Sequence, residues 1–320
     1  MNTPQPRRQR SCLGRILLYL LLGFLAVSLL GACSRRIRCE AAAVPARELV
    51  FRTARSLPGG RLVDAVVPDS HTLLTLTQDR VLRVWDLDSA SQRSATLLQF
   101  LPGDSPDWAL SPDGRRIAGH GALWDLASGR QLITFEADTT LFLERLAFGA
   151  EGRILYGGTF EGPVLRWDTR SGKRLQPLLP DAFESGPVQF LTGRNTSATL
   201  AFSRDGRRMA VGTYGGTVTL LRPDGRRPRD RLSFPLQDPC GYYAYPATAW
   251  EVSCAAFTPD GRQLVAAGTN GCLYVWDART GRSLGVIRET PAERIFITPD
   301  ARAWILCAGK DLRFYHVNKL

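Results

Sequence analysis

The chain has 320 residues, 44% of them hydrophobic, and a formal net charge of +11 from 41 Lys and Arg against 30 Asp and Glu. Such a length accommodates a large core and, by itself, one or two domains. The charge is uneven: residues 1–47 hold eight Arg and one Glu, and the remainder carries only +4, too little to support a nucleic-acid partner.

Residues 16–32, ILLYLLLGFLAVSLLGA, contain no charge and follow Arg7, Arg8, Arg10 and Arg15. That is the order of a secretory signal, basic then apolar. The run lies near the lower limit of about 17–25 residues for a membrane span. It ends in Leu30-Gly31-Ala32-Cys33, which resembles the bacterial lipoprotein box, whose Cys is acylated and becomes the first mature residue. Residues 1–33 are therefore expected to be either a cleaved lipoprotein signal with Cys33 as the lipidation site or an uncleaved anchor. Both place the rest of the chain outside the cytoplasm, attached to the membrane. Arg35, Arg36 and Arg38 beyond the run weaken the charge asymmetry and leave a cytoplasm-facing arrangement open. Residues 34–47 read as a tether, with a first strand expected in ELVFRTARSL (48–57).

From residue 58 the sequence repeats. VLRVWDLDSA (81–90), GALWDLASGRQL (121–132), PVLRWDTRSGKRL (163–175) and CLYVWDARTGRSL (272–284) align, with weaker copies in TVTLLRPDGRR (217–227) and DLRFYHV (311–317). Each copy follows a turn such as SPDGRR at 111, SRDGRR at 203 or TPDGRQ at 258. Asp69, Glu151, Asp205 and Asp260 stand 16 residues before Trp85, Trp167, Leu221 and Trp276; the offset is 15 from Asp300 to Tyr315 and 11 from Asp113 to Trp124. Pro presets φ, Asp bonds its own backbone and Gly accepts positive φ, so these are turns. Each unit reads as four short strands, for instance VSCAAFT, QLVAAGT, CLYVWD and SLGVI, the middle ones apolar throughout as burial on both faces requires.

These motifs resemble WD-repeat β-propellers, whose blades are four-stranded units of roughly 40–45 residues. The resemblance implies an all-β propeller over 48–320, with repeats near 58–100, 101–136, 137–179, 197–236, 251–288 and 289–320. Six blades are favoured and seven remain possible. The chain ends on a third strand, so residues 48–57 are expected to supply the fourth strand of the last blade. The family's Gly-His before the first strand is absent from every unit; Asp79 matches its tight-turn Asp, whereas Glu161 and Asn270 replace it elsewhere. The family's His–Ser/Thr–Trp hydrogen-bond network is therefore expected to be incomplete. The Trp-Asp pairs Trp85-Asp86, Trp124-Asp125, Trp167-Asp168 and Trp276-Asp277 read as structural repeat positions, each Asp accepting N–H groups of the following turn. SPDGRRIAG (111–119) also resembles the repeat of the periplasmic six-bladed propeller of the Tol envelope system.

No catalytic constellation stands out. The histidines are His71, His120 and His316, and the sequence lacks H-E-x-x-H and C-x-x-C. No cofactor or metal is expected. Of the seven cysteines, Cys254, Cys272 and Cys307 read as core residues. An arginine cluster, Arg222, Arg226, Arg227, Arg229 and Arg231, reads as a solvated loop diluted by Asp224 and Asp230.

Two units are longer than the rest. The excess lies in residues 180–198 and 237–251, each joining the fourth strand of one blade to the first of the next. Such connections share one face of a propeller, so the two inserts are expected to flank the fourth blade. The second carries Tyr242, Tyr243, Tyr245 and Trp250, side chains suited to a partner-binding surface or to capping the blade. The expected function is a non-catalytic, membrane-tethered protein-binding or assembly platform. The alternative is a propeller enzyme or a carbohydrate- or small-ligand-binding protein with its site in the central channel.

Overall fold

The computed structural model describes residues 49–101, 108–136, 143–159, 163–178, 197–213, 216–223, 233–235, 251–287 and 290–317. These form six four-stranded antiparallel sheets, the blades of a propeller, all within one compact unit. Blade 1 holds β2 (Leu62–Val66), β3 (Thr72–Thr77), β4 (Val81–Asp86) and β5 (Ser91–Leu97). Blade 2 holds β6 (Ala109–Leu110), β7 (Arg116–Gly119), β8 (Ala122–Asp125) and β9 (Gln131–Thr134). Blade 3 follows with β10 (Leu143–Phe148), β11 (Ile154–Thr159), β12 (Val164–Asp168) and β13 (Arg174–Leu178). Blade 4 has β14 (Ser197–Phe202), β15 (Met209–Thr213), β16 (Thr217–Leu221) and β17 (Ser233–Pro235). Blade 5 has β18 (Val252–Phe257), β19 (Gln263–Gly268), β20 (Leu273–Asp277) and β21 (Ser283–Ile287). Blade 6 has β22 (Arg294–Ile297), β23 (Ala303–Ala308) and β24 (Asp311–Val317), and its fourth strand is β1 (Leu49–Ser56).

The core is divided among the gaps between blades. Leu264 and Ala266 of β19 pack toward blade 4, whereas Val265 and Ala267, on the other face of the same strand, pack toward blade 6. Alternation with both faces buried makes the segment apolar along its whole length. One apolar cluster fills each of the six gaps, and one of them joins Ile305, Leu312 and Phe314 of blade 6 to Leu62, Leu73 and Trp85 of blade 1. The ring is closed.

Closure is carried by β1. It pairs antiparallel with β24, from Leu49 opposite Val317 to Ser56 opposite Asp311. Arg52 Nη1 reaches Leu87 O at 3.1 Å and Arg55 Nε reaches Ala90 O at 2.8 Å, both in blade 1. One strand thus completes blade 6 and grips blade 1, which removes the open edge that a third strand would otherwise leave.

Up-and-down strands give the propeller two rims. The turns between first and second strands and between third and fourth strands share the lower rim. The turns between second and third strands and the connections between blades share the upper rim. Lower-rim turns have fixed geometry. In the fifth blade Asp260 Oδ1 accepts the Thr258 hydroxyl at 2.6 Å and the Arg262 N–H at 3.0 Å, and Gly261 takes φ 66°. Blade 6 repeats the turn with Ala301 in the glycine's place, at φ 60°.

Candidate functional site

The Trp-Asp positions fall at the lower ends of the third strands. Asp277 Oδ1 accepts the Thr280 N–H at 2.7 Å, its hydroxyl at 2.8 Å and the Arg279 N–H at 3.0 Å. The Thr280 N–H, then the Thr280 hydroxyl, hold the Asp277 carboxyl below the ordinary range. Asp86, Asp125 and Asp168 bind Ser89, Ser128 and Ser171 in the same way. Four carboxylates each engaged with their own turn are not gathered for chemistry. The tryptophans are buried. Trp85 donates to Thr75 Oγ1 at 2.9 Å, which preserves the Thr–Trp part of the family network without its histidine. Trp167 donates instead to the Glu136 carbonyl at 2.9 Å.

Asp79 completes the tight turn of blade 1. It accepts the Val81 N–H at 3.1 Å and pairs with Arg83, Nη2 to Oδ2, at 2.6 Å. Asn270 performs the turn's task in blade 5, accepting the Cys272 N–H at 3.2 Å. Cys254 on β18 and Cys307 on β23 are buried, whereas Cys272 stands just before β20 and is half-buried. Burial pushes the Cys254 thiol far up and the Cys307 thiol up to about 12, so neither is a thiolate near neutral pH.

First strands of neighbouring blades approach one another around the centre. There the structure shows a group that sequence reading passes over. Asp64 of β2 accepts the Leu110 N–H of blade 2 at 2.7 Å, and Arg294 of β22 donates to the neighbouring Val63 carbonyl at 3.3 Å. Burial among the inner strands pushes the Asp64 carboxyl up to about 7, against the Leu110 and Ala65 N–H groups and the positive field of Arg145. Such a carboxyl exchanges its proton near neutral pH. The histidines do not join it: His71 lies on the lower rim against Asp88, His120 in the upper turn of blade 2 and His316 on β24. Among the described residues no cluster of His, Cys, Asp or Glu has the makings of a metal site. Between blades 2 and 3 a mostly apolar cavity of about 220 Å³ is lined by Gly119, Phe135, Leu146, Leu155, Trp167 and one acid, Glu136, whose Oε2 accepts the Arg174 N–H at 2.9 Å.

A second feature hides in the repeated turns. The residue after the turn glycine or its equivalent is exposed in every blade: His71, Arg115, Arg153, Arg207, Arg262 and Arg302. Its signal was present as the recurring Asp-Gly-Arg, but the turn residues drew attention to conformation and not to charge. The turns also converge, because Arg204 Nη1 of blade 4 reaches Pro299 O of blade 6, two blades away, at 3.4 Å.

Both long connections leave and rejoin the described strands on the upper rim, after β13 and before β14, and after β17 and before β18. Tyr242, Tyr243, Tyr245 and Trp250 lie outside the described residues, as do Cys33, the apolar run 16–32 and Arg226, Arg227, Arg229 and Arg231. Among the described residues no helix is long and apolar enough to cross a membrane.

The model of the family "WD domain, G-beta repeat" matches residues 242–277, ending on Asp277. The chain is 56% identical over 34 residues to mouse WD repeat-containing protein 38, 11% of each chain. These matches support a WD-repeat propeller. Longer similarities run to rat telomerase protein component 1, 26% identical over 266 residues, 79% of this chain and 9% of the relative. Rice small ribosomal subunit protein RACK1y is 30% identical over 165 residues, 49% of this chain and 46% of the relative. The chain thus spans less than half the length of either of these two relatives.

Proposed function

We propose that this chain is a non-catalytic, membrane-tethered propeller that serves as a protein-binding or assembly platform. The observation that carries the reading is a closed six-blade ring whose Trp-Asp carboxylates are spent on their own turns, with two long connections meeting the upper rim on either side of blade 4. A rigid scaffold presenting adjacent loops is suited to recognition. The relatives agree with it: a protein component of telomerase and a small ribosomal subunit protein are both, by name, parts of larger assemblies. The aromatic insert is the proposed docking element, with Tyr242, Tyr243 and Tyr245 as contacts, and Cys33 is the proposed site of lipid attachment.

The test uses the propeller, residues 48–320, as bait. Replacing the three tyrosines with Ser is expected to leave the melting temperature within a few degrees. The same change weakens capture of a specific partner at least about tenfold, roughly 1.4 kcal/mol. Unfolding by the triple change would make the rings core and refute the assignment. In the full chain, Cys33→Ser is expected to abolish lipid labelling; an unchanged mass and membrane fraction would refute lipidation.

A further inference from the structure

The lower rim has a chemistry distinct from the upper one. Its first-to-second-strand turns repeat one arrangement around the ring. The acid is bound by its own turn: Asp113, Asp205, Asp260 and Asp300 each accept a hydroxyl from the residue two before and the N–H of the residue two after. The residue two after is an arginine, and its long side chain is exposed. Acid and arginine are both exposed, but one carboxylate oxygen of each acid is taken up by its own turn, and Arg302 stands 3.9 Å from Asp300. Arg153 fills the same place in blade 3, beside Glu151 at 3.4 Å, and His71 fills it in blade 1. Arg130, Lys173, Arg279 and Arg282 of the neighbouring third-to-fourth-strand turns are exposed on the same rim. The upper rim has no comparable ring among the described residues; its Arg61 is paired with Glu293 at 3.0 Å.

The chain reaches the propeller on this same rim. β24 descends to Val317, whose N–H bonds the carbonyl of Arg302 in the lower turn of blade 6 at 3.0 Å. β1 runs the opposite way, so its first residue, Leu49, is paired with Val317 at the lower rim. Leu49 lies sixteen positions after Cys33, at the end of the apolar run. Fully extended, that stretch spans at most roughly 55 Å. A tether of that length keeps the rim close to whatever holds the apolar run, so that weak contacts suffice to orient it.

We propose that the lower rim is a membrane-facing surface, in which the ring formed by Arg115, Arg153, Arg207, Arg262 and Arg302 rests on anionic lipid headgroups and turns the upper rim, with its two inserts, away from the bilayer. The occupant is a lipid surface because the strand that follows the apolar segment starts on this rim, and because one arginine in each of five blades, spread around a ring, matches a broad field of negative charge. The orientation rests on the tether reading of the preceding section.

The experiment floats the full chain with phosphatidylcholine vesicles and with vesicles containing about one third phosphatidylserine. Neutral vesicles report the apolar segment alone. Anionic vesicles are expected to bind at least about tenfold more tightly at low salt, with the gap narrowing as salt rises. The variant R115Q/R207Q/R262Q/R302Q changes exposed turn side chains. It is expected to keep its melting temperature and its neutral-vesicle binding, and to lose at least about fivefold of the anionic preference. Any preference due to the N-terminal arginines persists in the variant. The pair R61Q/K310Q on the upper rim is expected to retain the full preference. Arginine-dependent flotation with anionic vesicles but none with neutral ones would refute the tether and support the rim. A four-arginine variant with the parent's preference would overturn the proposal, as would failure to float with either vesicle. A single-stranded RNA that binds more tightly than anionic vesicles through the same four arginines would also overturn it, making the rim a nucleic-acid face.

Discussion

Asp64→Asn isolates the electrostatics of the channel. Burial raises the Asp64 carboxyl from its ordinary 3.8 to about 7. Between those values the native state holds a proton that the unfolded chain has released, so stability falls as pH rises through the window and levels off above about 7. The gap corresponds to at most about 4 kcal/mol, and water reaching the partly exposed side chain reduces it. The amide of the variant keeps an oxygen to accept the Leu110 N–H, now 2.7 Å from Oδ2, and cannot ionise. Urea melts of parent and variant between about pH 4.5 and 7.5 read the difference. The parent is expected to lose a few kcal/mol across the range, the variant much less, and the variant is the more stable protein at the alkaline end. The turn carboxylates do not obscure this, since Asp125, Asp168 and Asp277 have lowered pKa values and contribute stability that is lost only as pH falls below about 4. Equal slopes in the two proteins would refute the account of a desolvated, titrating Asp64.

Removing β1 by starting the chain at residue 58 takes away the pairing with β24 and buried Leu57; relative to a chain starting at 48, it is expected to aggregate or melt at a markedly lower temperature, and equal melting temperatures would count against closure by β1. Trp276→Ala opens a cavity where the ring stacks on Tyr274 at 5.8 Å and is expected to cost about 3–5 kcal/mol, whereas Asp277→Asn, which keeps an acceptor for the Thr280 N–H, costs far less; loss of a ligand on Asp277→Asn with stability intact would reassign that residue to function. Ala301→Gly relieves a side chain held at φ 60° and is expected to raise stability by about 1 kcal/mol in thermal or urea melts; an unchanged or lower stability would mean the turn is unstrained.

The blades were legible because their determinants are local and repeated. A strand such as β19, buried on both faces, must be apolar without interruption, and its turns need Asp and Gly at set places. Even the irregular offset from Asp113 to Trp124 has a local cause: β7 and β8 are four residues each, joined through His120 and Gly121, so blade 2 is the shortened unit. Closure by β1 was legible from the missing strand at the end of the chain. Asp64 was not, since its proton affinity is raised by burial among inner strands of several blades, against the opposing pull of Leu110 and Arg145 from two other blades. The arginine ring was concealed by averaging. The acids of its turns cancel it in a sum of charges, and their engagement with the turn's own hydroxyl and N–H groups is visible only in the structure. The aromatic insert was visible as a deviation in repeat length, and its placement lies outside the described residues.

The two rims differ in what they allow to vary. A lower turn closed by an aspartate that binds both the preceding hydroxyl and the following N–H has no room for an inserted residue. Its arginine is therefore fixed relative to the next blade's, and a ring of charge can be built from a repeat. An upper connection is constrained only by the strands it joins, such as β17 at Pro235 and β18 at Val252, and can lengthen without disturbing either blade. Repetition suits a partner that is itself extended and uniform, as a lipid surface is. Singular loops suit a partner that must be told apart from others. The polarity of β1, which starts at the rim of the repeats and delivers the chain to the rim of the inserts, arranges both surfaces with a single strand.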